Sequence, residues 1–259
     1  MLYQLLEKYG LKRVINASGR MTALGGAAPS ASVMEAMKFG GQLHVEMDEL
    51  INRSGSIIAD KLGAEDAVIV NSASSGIALA VAALISEGNL RKVERLHADD
   101  HEKNEIIMFK GHNVNYGAPI ETMVHLGGGT VVEVGYANEG QENHIREAIS
   151  EQTAGILFVQ SHHAVQKNML TVEEAAKIAQ SYQIPFIVDA AAEEDLRKYV
   201  EHADIAIFSG SKAIEGPTSG IVAGKRQFIN QIKLQFQGIG RSMKIGKESI
   251  FGLLQALEE

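Results

Sequence analysis

A chain of 259 residues, 45% of them hydrophobic, is long enough to bury one large core, and its formal net charge of −8 argues against the broad basic face that a nucleic-acid backbone requires. It has no cysteine, which excludes disulfides, thiolate metal sites and cysteine nucleophiles and suits a reducing compartment. The N-terminal MLYQLLEKYGLKRV has no apolar signal core and no window is long enough to span a bilayer, so a cytoplasmic protein without membrane or nucleic-acid partners is expected.

In chain order, residues 3–8 read as a short helix, and the LGGAAPS segment at 24–30 reads as loop. Helical spacing returns over 32–39 and 45–62. Residues 67–71 (AVIVN) form a short apolar strand, and 75–85 (SGIALAVAALI) a strongly apolar helix. Further buried strands are expected at 105–109, 130–134, 155–160, 185–189, 203–208 and 219–223. Helical stretches at 142–150, 172–182 and 227–235 separate them. Thr171 and Glu174 make a capping box ahead of the second of these. Short apolar strands alternating with helices predict an α/β fold with a mostly parallel sheet covered on both faces. Ligands of such sheets bind beyond the carboxyl ends of the strands, so the residues just after each strand are the candidates.

After the first strand comes Ser72-Ala-Ser-Ser-Gly76. Free N–H groups at a helix start can hold a phosphate there, with Ser74, Ser75 and Gly76 as candidates, although an ordinary serine cap explains the segment equally well. Asp189 closes an apolar strand, where a carboxylate is costly to bury without a partner; capping of a following helix is the alternative. Ser209-Gly-Ser-Lys212 follows another strand. Taken alone, Lys212 reads as a solvated loop lysine. Together the three segments supply what pyridoxal phosphate (PLP) needs: a phosphate cradle, a carboxylate for the ring nitrogen, and a lysine able to form a Schiff base.

The segment FSGSKAIEGPTSGIVAGK, residues 208–225, resembles the lysine segment of the bacterial selenocysteine synthase (L-seryl-tRNA selenium transferase) family of fold-type I PLP enzymes. INASG at 15–19, VEVG at 132–135 and GRSMKIGK at 240–247 are similar to that family too. Within it, NASGRMTALGG at 16–26 and KGHNVNYGAP at 110–119 look most like the D-glucosaminate-6-phosphate ammonia-lyase branch. The transferases carry an extra N-terminal tRNA-binding domain, whereas only a short leader precedes Asn16 here. The resemblance implies the large domain of the fold, with a seven-stranded type of sheet. An N-terminal arm and substrate loop is expected at 1–44 and the PLP-binding domain at 45–246. Residues 247–259 would start a helix leading to a C-terminal small domain that is expected to be missing.

The implied reaction is α,β-elimination on a phosphorylated amino sugar acid, giving 2-keto-3-deoxygluconate 6-phosphate and ammonia. Lys212 would take the Cα proton, and an acid would assist loss of the C3 hydroxyl. His162, His163 and Tyr116 are the candidates for that acid. His112 is expected to stack on the PLP ring, and Ser209 and Ser211 to supplement the phosphate cradle. Arg20, Arg53, Arg241 and Lys244 would meet the anionic substrate. No metal is expected, because His162 and His163 are adjacent and no cysteine exists. A homodimer or larger assembly goes with the fold type. Competing readings are another PLP activity on the same scaffold (aldolase, cysteine or cystathionine lyase, selenium or sulfur transferase) and a catalytically silent PLP-fold protein. A dinucleotide binder lacks its G-x-G-x-x-G spacing here.

Overall fold

The computed structural model describes residues 2–98 and 101–259. Helix α1 (Leu2–Lys8) leads into an arm that ends at Ser30, whose hydroxyl accepts the Val33 N–H and so caps α2 (Ala31–Gln42). The chain then runs through α3 (Met47–Leu62), β1 (Asp66–Val70), α4 (Ala73–Ser86), α5 (Leu90–Glu94), β2 (Glu105–Phe109), α6 (Ile120–Leu126) and β3 (Thr130–Val134). It continues through α7 (Glu142–Ala148), β4 (Thr153–Val159), α8 (Val172–Ser181), β5 (Phe186–Asp189), α9 (Leu196–His202) and β6 (Ile205–Ser209). Last come β7 (Gly220–Gly224), α10 (Arg226–Leu234) and α11 (Lys247–Glu258), which packs against α2.

The strands form one sheet in the order β1-β7-β6-β5-β4-β2-β3. Only β7 runs against its neighbours, β1 and β6. The expected apolar strand at 219–223 is therefore present but reversed. The reason lies in the connection. Only residues 210–219 join β6 to β7, too few for the crossover that a parallel pair demands. The lysine segment is thus the bend between two paired antiparallel strands.

Alternate strand side chains enter two apolar layers, as period-two geometry requires. Ile69, Ile107, Val188 and Phe208 join α3, α8 and α11 on one face. Val70, Ile106, Ile187 and Ile207 join α4, α6 and α10 on the other. Helix α4 is buried along every residue from Gly76 to Ser86, which explains an apolar sequence with little amphipathic stripe.

Element boundaries differ from expectation by one to three residues where side-chain caps decide them. Helix α4 begins at Ala73 because Ser72, rather than Ser74, is the cap, accepting the Ser75 N–H. Strand β4 starts at Thr153 and stops at Val159, and the Gln160 N–H just beyond it still donates to the Asp189 carbonyl at 2.8 Å. The expected capping box forms between Thr171 and Glu174. Helices α5, α6 and α9 go unannounced; Asn89 caps the first and Asp195 the last. No helix among the described residues is long and apolar enough to cross a membrane.

The amino ends of the strands are knotted by Asp204. Its Oδ2 accepts the Phe186 N–H at 2.7 Å, and its Oδ1 meets Lys225 Nζ at 2.6 Å. Phe186 is buried, whereas Lys225 is half exposed. Asp204→Ala is accordingly expected to cost about 1–3 kcal/mol in chemical denaturation. Lys225→Met should cost under about 1 kcal/mol.

Candidate active site

The carboxyl ends of β1, β4, β5 and β6, with the amino end of the reversed β7, surround a cleft of about 350 Å³. Hollows of about 620 and 840 Å³ occur elsewhere, so volume does not single this one out. The chemistry of its walls does. Lys212, Asp189, Ser74, Ser209, Ser211, Tyr116 and His163 all line it.

Asp189 ends β5 in the middle of the sheet and is 7% exposed. Its Oδ1 accepts the Ala191 N–H at 3.2 Å, and no cation lies within ion-pair distance among the described residues. Burial therefore pushes its carboxyl up to about 6, with the more distant Lys212 pulling the other way. No helix follows directly, so the capping alternative fails. A buried carboxylate facing a cleft, lacking a cation, suits a protonated ring nitrogen.

Lys212 sits in the β6–β7 bend, partly buried, and makes no ion pair among the described residues. Beside it, Ser209 Oγ and Ser211 Oγ stand 3.5 Å apart. At the start of α4 the Ser75 and Gly76 N–H groups are taken by Ser72, while those of Ala73 and Ser74 have no partner within the helix. Ser75 Oγ is bonded to Asn71 and Ser72. Gly76 serves packing: a Cβ there would press Ile207 at 2.9 Å and Val222 at 3.1 Å. Of the expected phosphate residues, then, Ser74 faces the cleft, whereas Ser75 and Gly76 shape the turn behind it.

The Tyr116 hydroxyl is buried, with no hydrogen bond of good geometry among the described residues, and the Ser74 hydroxyl lies nearby. Burial pushes the phenol up; the nearby Ser74 hydroxyl opposes this and the Asp189 charge adds to it. His163 lines the cleft, and its imidazole is held below its ordinary range by burial, then by His162 and Lys212. His162 stacks obliquely on His163, ring centroids 3.9 Å apart, but does not line the cleft.

Other expected residues lie elsewhere. His112 is fully buried behind the wall, edge-on to Phe158 and Phe109, and its Nδ1 accepts the Val159 N–H. Burial lowers it to about 4. A ring packed that way does not stack in the cleft, which corrects the expectation. Arg53 lies on the exposed face of α3. Arg241 and Lys244 line the separate 840 Å³ hollow beside α3 and α10. Arg20 is engaged by Glu215 and Glu194. The cleft also includes Gln160, Thr22, Thr218 and Ser219. Gln160 was within reach of the strand-end rule; Thr22, on the arm, carries no local signal.

The family model described as "SelA: L-seryl-tRNA selenium transferase" matches residues 14–259. The D-glucosaminate-6-phosphate ammonia lyase of Salmonella typhimurium (strain 14028s / SGSC 2262) is 46% identical over all of this chain and 70% of its own length. The 5'-C-glycyluridine monooxygenase-decarboxylase of Streptomyces sp is 40% identical, over 100% of this chain and 65% of that protein. The structure of D-glucosaminate-6-phosphate ammonia-lyase superposes with a TM-score of 0.95 at 46% identity, covering 98% of this chain and 69% of that one. An aspartate aminotransferase from Thermotoga maritima (TM-score 0.65, 16% identity, 99% of this chain and 69% of that one) shares the fold alone.

The raised Asp189 carboxyl makes a stability prediction with a definite sign. Both folded and unfolded states are protonated below about pH 4, and both are ionised well above pH 6, where the folded state bears the burial cost. In the cofactor-free protein, Asp189→Asn should therefore raise the melting temperature at pH 8, by up to about 3 kcal/mol of stability, and leave it little changed at pH 4. Thermal unfolding at the two pH values checks this.

Proposed function

The chain belongs to the L-seryl-tRNA selenium transferase family of fold-type I PLP enzymes, and we propose that it is a PLP-dependent ammonia-lyase acting on a phosphorylated amino sugar acid, D-glucosaminate 6-phosphate. The observation that carries this is Asp189, a buried carboxylate without a cation, sharing one cleft with Lys212 and the open start of α4. The 46% identity along the whole chain to the Salmonella lyase supports the substrate.

The residues present fit the cofactor. Lys212 would carry it covalently, Asp189 would hold its ring nitrogen protonated, and the Ala73 and Ser74 N–H groups with Ser209 and Ser211 would meet its phosphate. Bound there, PLP supplies an electron sink for negative charge at the substrate Cα. The protein's own part is proton traffic and orientation. Lys212 Nζ accepts the Cα proton. The C3 hydroxyl leaves poorly as hydroxide, so a group must protonate it. His163 takes that role in this reading, because it lines the cleft and an imidazole can pass a proton to the leaving oxygen. Tyr116 offers its hydroxyl to orient the substrate.

The wider reading includes self-association. Leu5, Tyr9, Leu11, Val14 and Ile15 leave an apolar run exposed on the arm, with Ile15 85% exposed, and a second copy would cover it. In this reading the cofactor-binding unit spans 45–246, where the seven strands of the described residues lie, and 1–44 supplies the N-terminal arm with α2. A cytoplasmic location suits a doubly anionic substrate, which does not cross bilayers unaided. A second reading, the same scaffold acting on a nucleoside-derived amino acid, is favoured by the 40% identity to the Streptomyces enzyme.

Turnover with D-glucosaminate 6-phosphate, followed as 2-keto acid and ammonia, tests the first reading. Product formation is expected; none from this substrate, with turnover of 5'-C-glycyluridine instead, would favour the second. Lys212→Ala should abolish the visible absorption band of the PLP-loaded protein. His163→Gln should lower kcat about a hundredfold. His162→Gln should stay within about threefold.

A further inference from the structure

Arg20 projects from the arm to a place between two loops. Its Nη2 and Nε lie 2.7 and 3.2 Å from Glu215 Oε1, and its Nη1 lies 3.6 Å from Glu194 Oε1. Those two carboxylates belong to the loops that carry the cofactor residues. The Glu215 N–H donates to the Lys212 carbonyl at 3.1 Å, so Glu215 closes the turn on which Lys212 stands. Glu194 follows the turn in which Ala191 holds Asp189 and Glu193 donates to Ala190.

Two further features mark this contact as built. Glu215 has φ of 56°, a left-handed conformation that a residue with a Cβ adopts at a cost and keeps where its surroundings impose it. The arm is also pinned to the same loop by its backbone. The Ala27 N–H donates to the Ser211 carbonyl at 2.9 Å, and Gly26, at φ of 78°, lies so close that a Cβ would sit 2.9 Å from that oxygen. Between Arg20 and Ala27, Thr22 reaches the cleft. One arm thus touches the Lys212 loop at both ends and the Asp189 loop at one.

We propose that Arg20 is a positioning residue, an electrostatic clasp holding residues 20–27 over the cleft and fixing the loops of Lys212 and Asp189 relative to each other. It is not the residue that takes the substrate's anionic group. A guanidinium already satisfied by two carboxylates offers an incoming anion little net attraction, whereas it can bridge two loops at once. The cofactor-dependent part of this proposal rests on the PLP reading above; the clasp itself does not.

Two variants separate the possibilities: Arg20→Gln, and the pair Glu194→Gln with Glu215→Gln, which leaves Arg20 intact. Hydrogen exchange of the 21–30 segment in the cofactor-free protein reads the clasp directly. Both variants are expected to speed it by about two- to tenfold, the range that two partly exposed ion pairs supply. In 1 M salt the wild type should exchange like the variants, because screening removes the pairs. PLP release from the loaded protein should accelerate alike in both variants, and kcat should fall more than KM rises. Unchanged exchange in either variant overturns the proposal. So does a KM that rises in Arg20→Gln and falls in the double glutamate variant, which would make Arg20 a substrate contact. A protein that binds no PLP sinks the functional reading, while the exchange result still decides the clasp.

Discussion

A carboxylate kept out of water at the centre of the sheet is the constraint around which this molecule is arranged. Asp189 ends β5, with β4 on one side and β6 on the other, and among the described residues its carboxylate accepts one hydrogen bond, from the Ala191 N–H. A charge in that position is expensive unless a cation meets it. The fold does not supply one: Lys212 is near enough to pull the carboxyl downward but not to pair with it. The carboxylate is therefore left without a counter-charge, which is the feature that the proposed role of Asp189 rests on. Burial of Asp189 costs stability wherever its carboxyl is ionised.

The surrounding architecture follows from chain economy around that point. Parallel strands deliver β4, β5 and β6 with their carboxyl ends on one edge. Reversal of β7 after a short bend then brings the lysine segment back across the same edge. A longer connection with a crossover helix would have carried Lys212 away from Asp189. On the far side of β7, strand β1 feeds directly into α4, whose first two N–H groups remain open toward the cleft. The start of α4, Lys212 and the buried Asp189 carboxylate are thus fixed by three different strand ends, each stiffened by ladder hydrogen bonds.

Charged side chains divide sharply between those the cleft uses and those it leaves outside. The cationic candidates Arg53, Arg241 and Lys244 have no place in the cleft of their own chain. Arg20 differs because its charge is already committed to the two loops it joins. His112 differs again: buried among Phe109 and Phe158, it supports the end of β4 through the Val159 N–H rather than facing a ligand.

The strand–helix alternation, the parallel sheet, and the candidacy of Asp189 and Lys212 were legible from residue order alone, because burial of a sheet on both faces writes itself into short apolar runs. Strand ends are then readable as site positions without coordinates. The lysine segment's likeness to the selenium transferases was legible for the same reason: it is contiguous in sequence. Tertiary structure alone decided the direction of β7, the burial of His112, the choice of His163 over His162 at the cleft wall, and the embrace of Arg20 by two glutamates 174 and 195 residues away along the chain. Each of those depends on which side of a backbone a side chain leaves and on contacts between distant segments. Local sequence encodes the period of burial; it does not encode which distant charge will be waiting when the chain has closed.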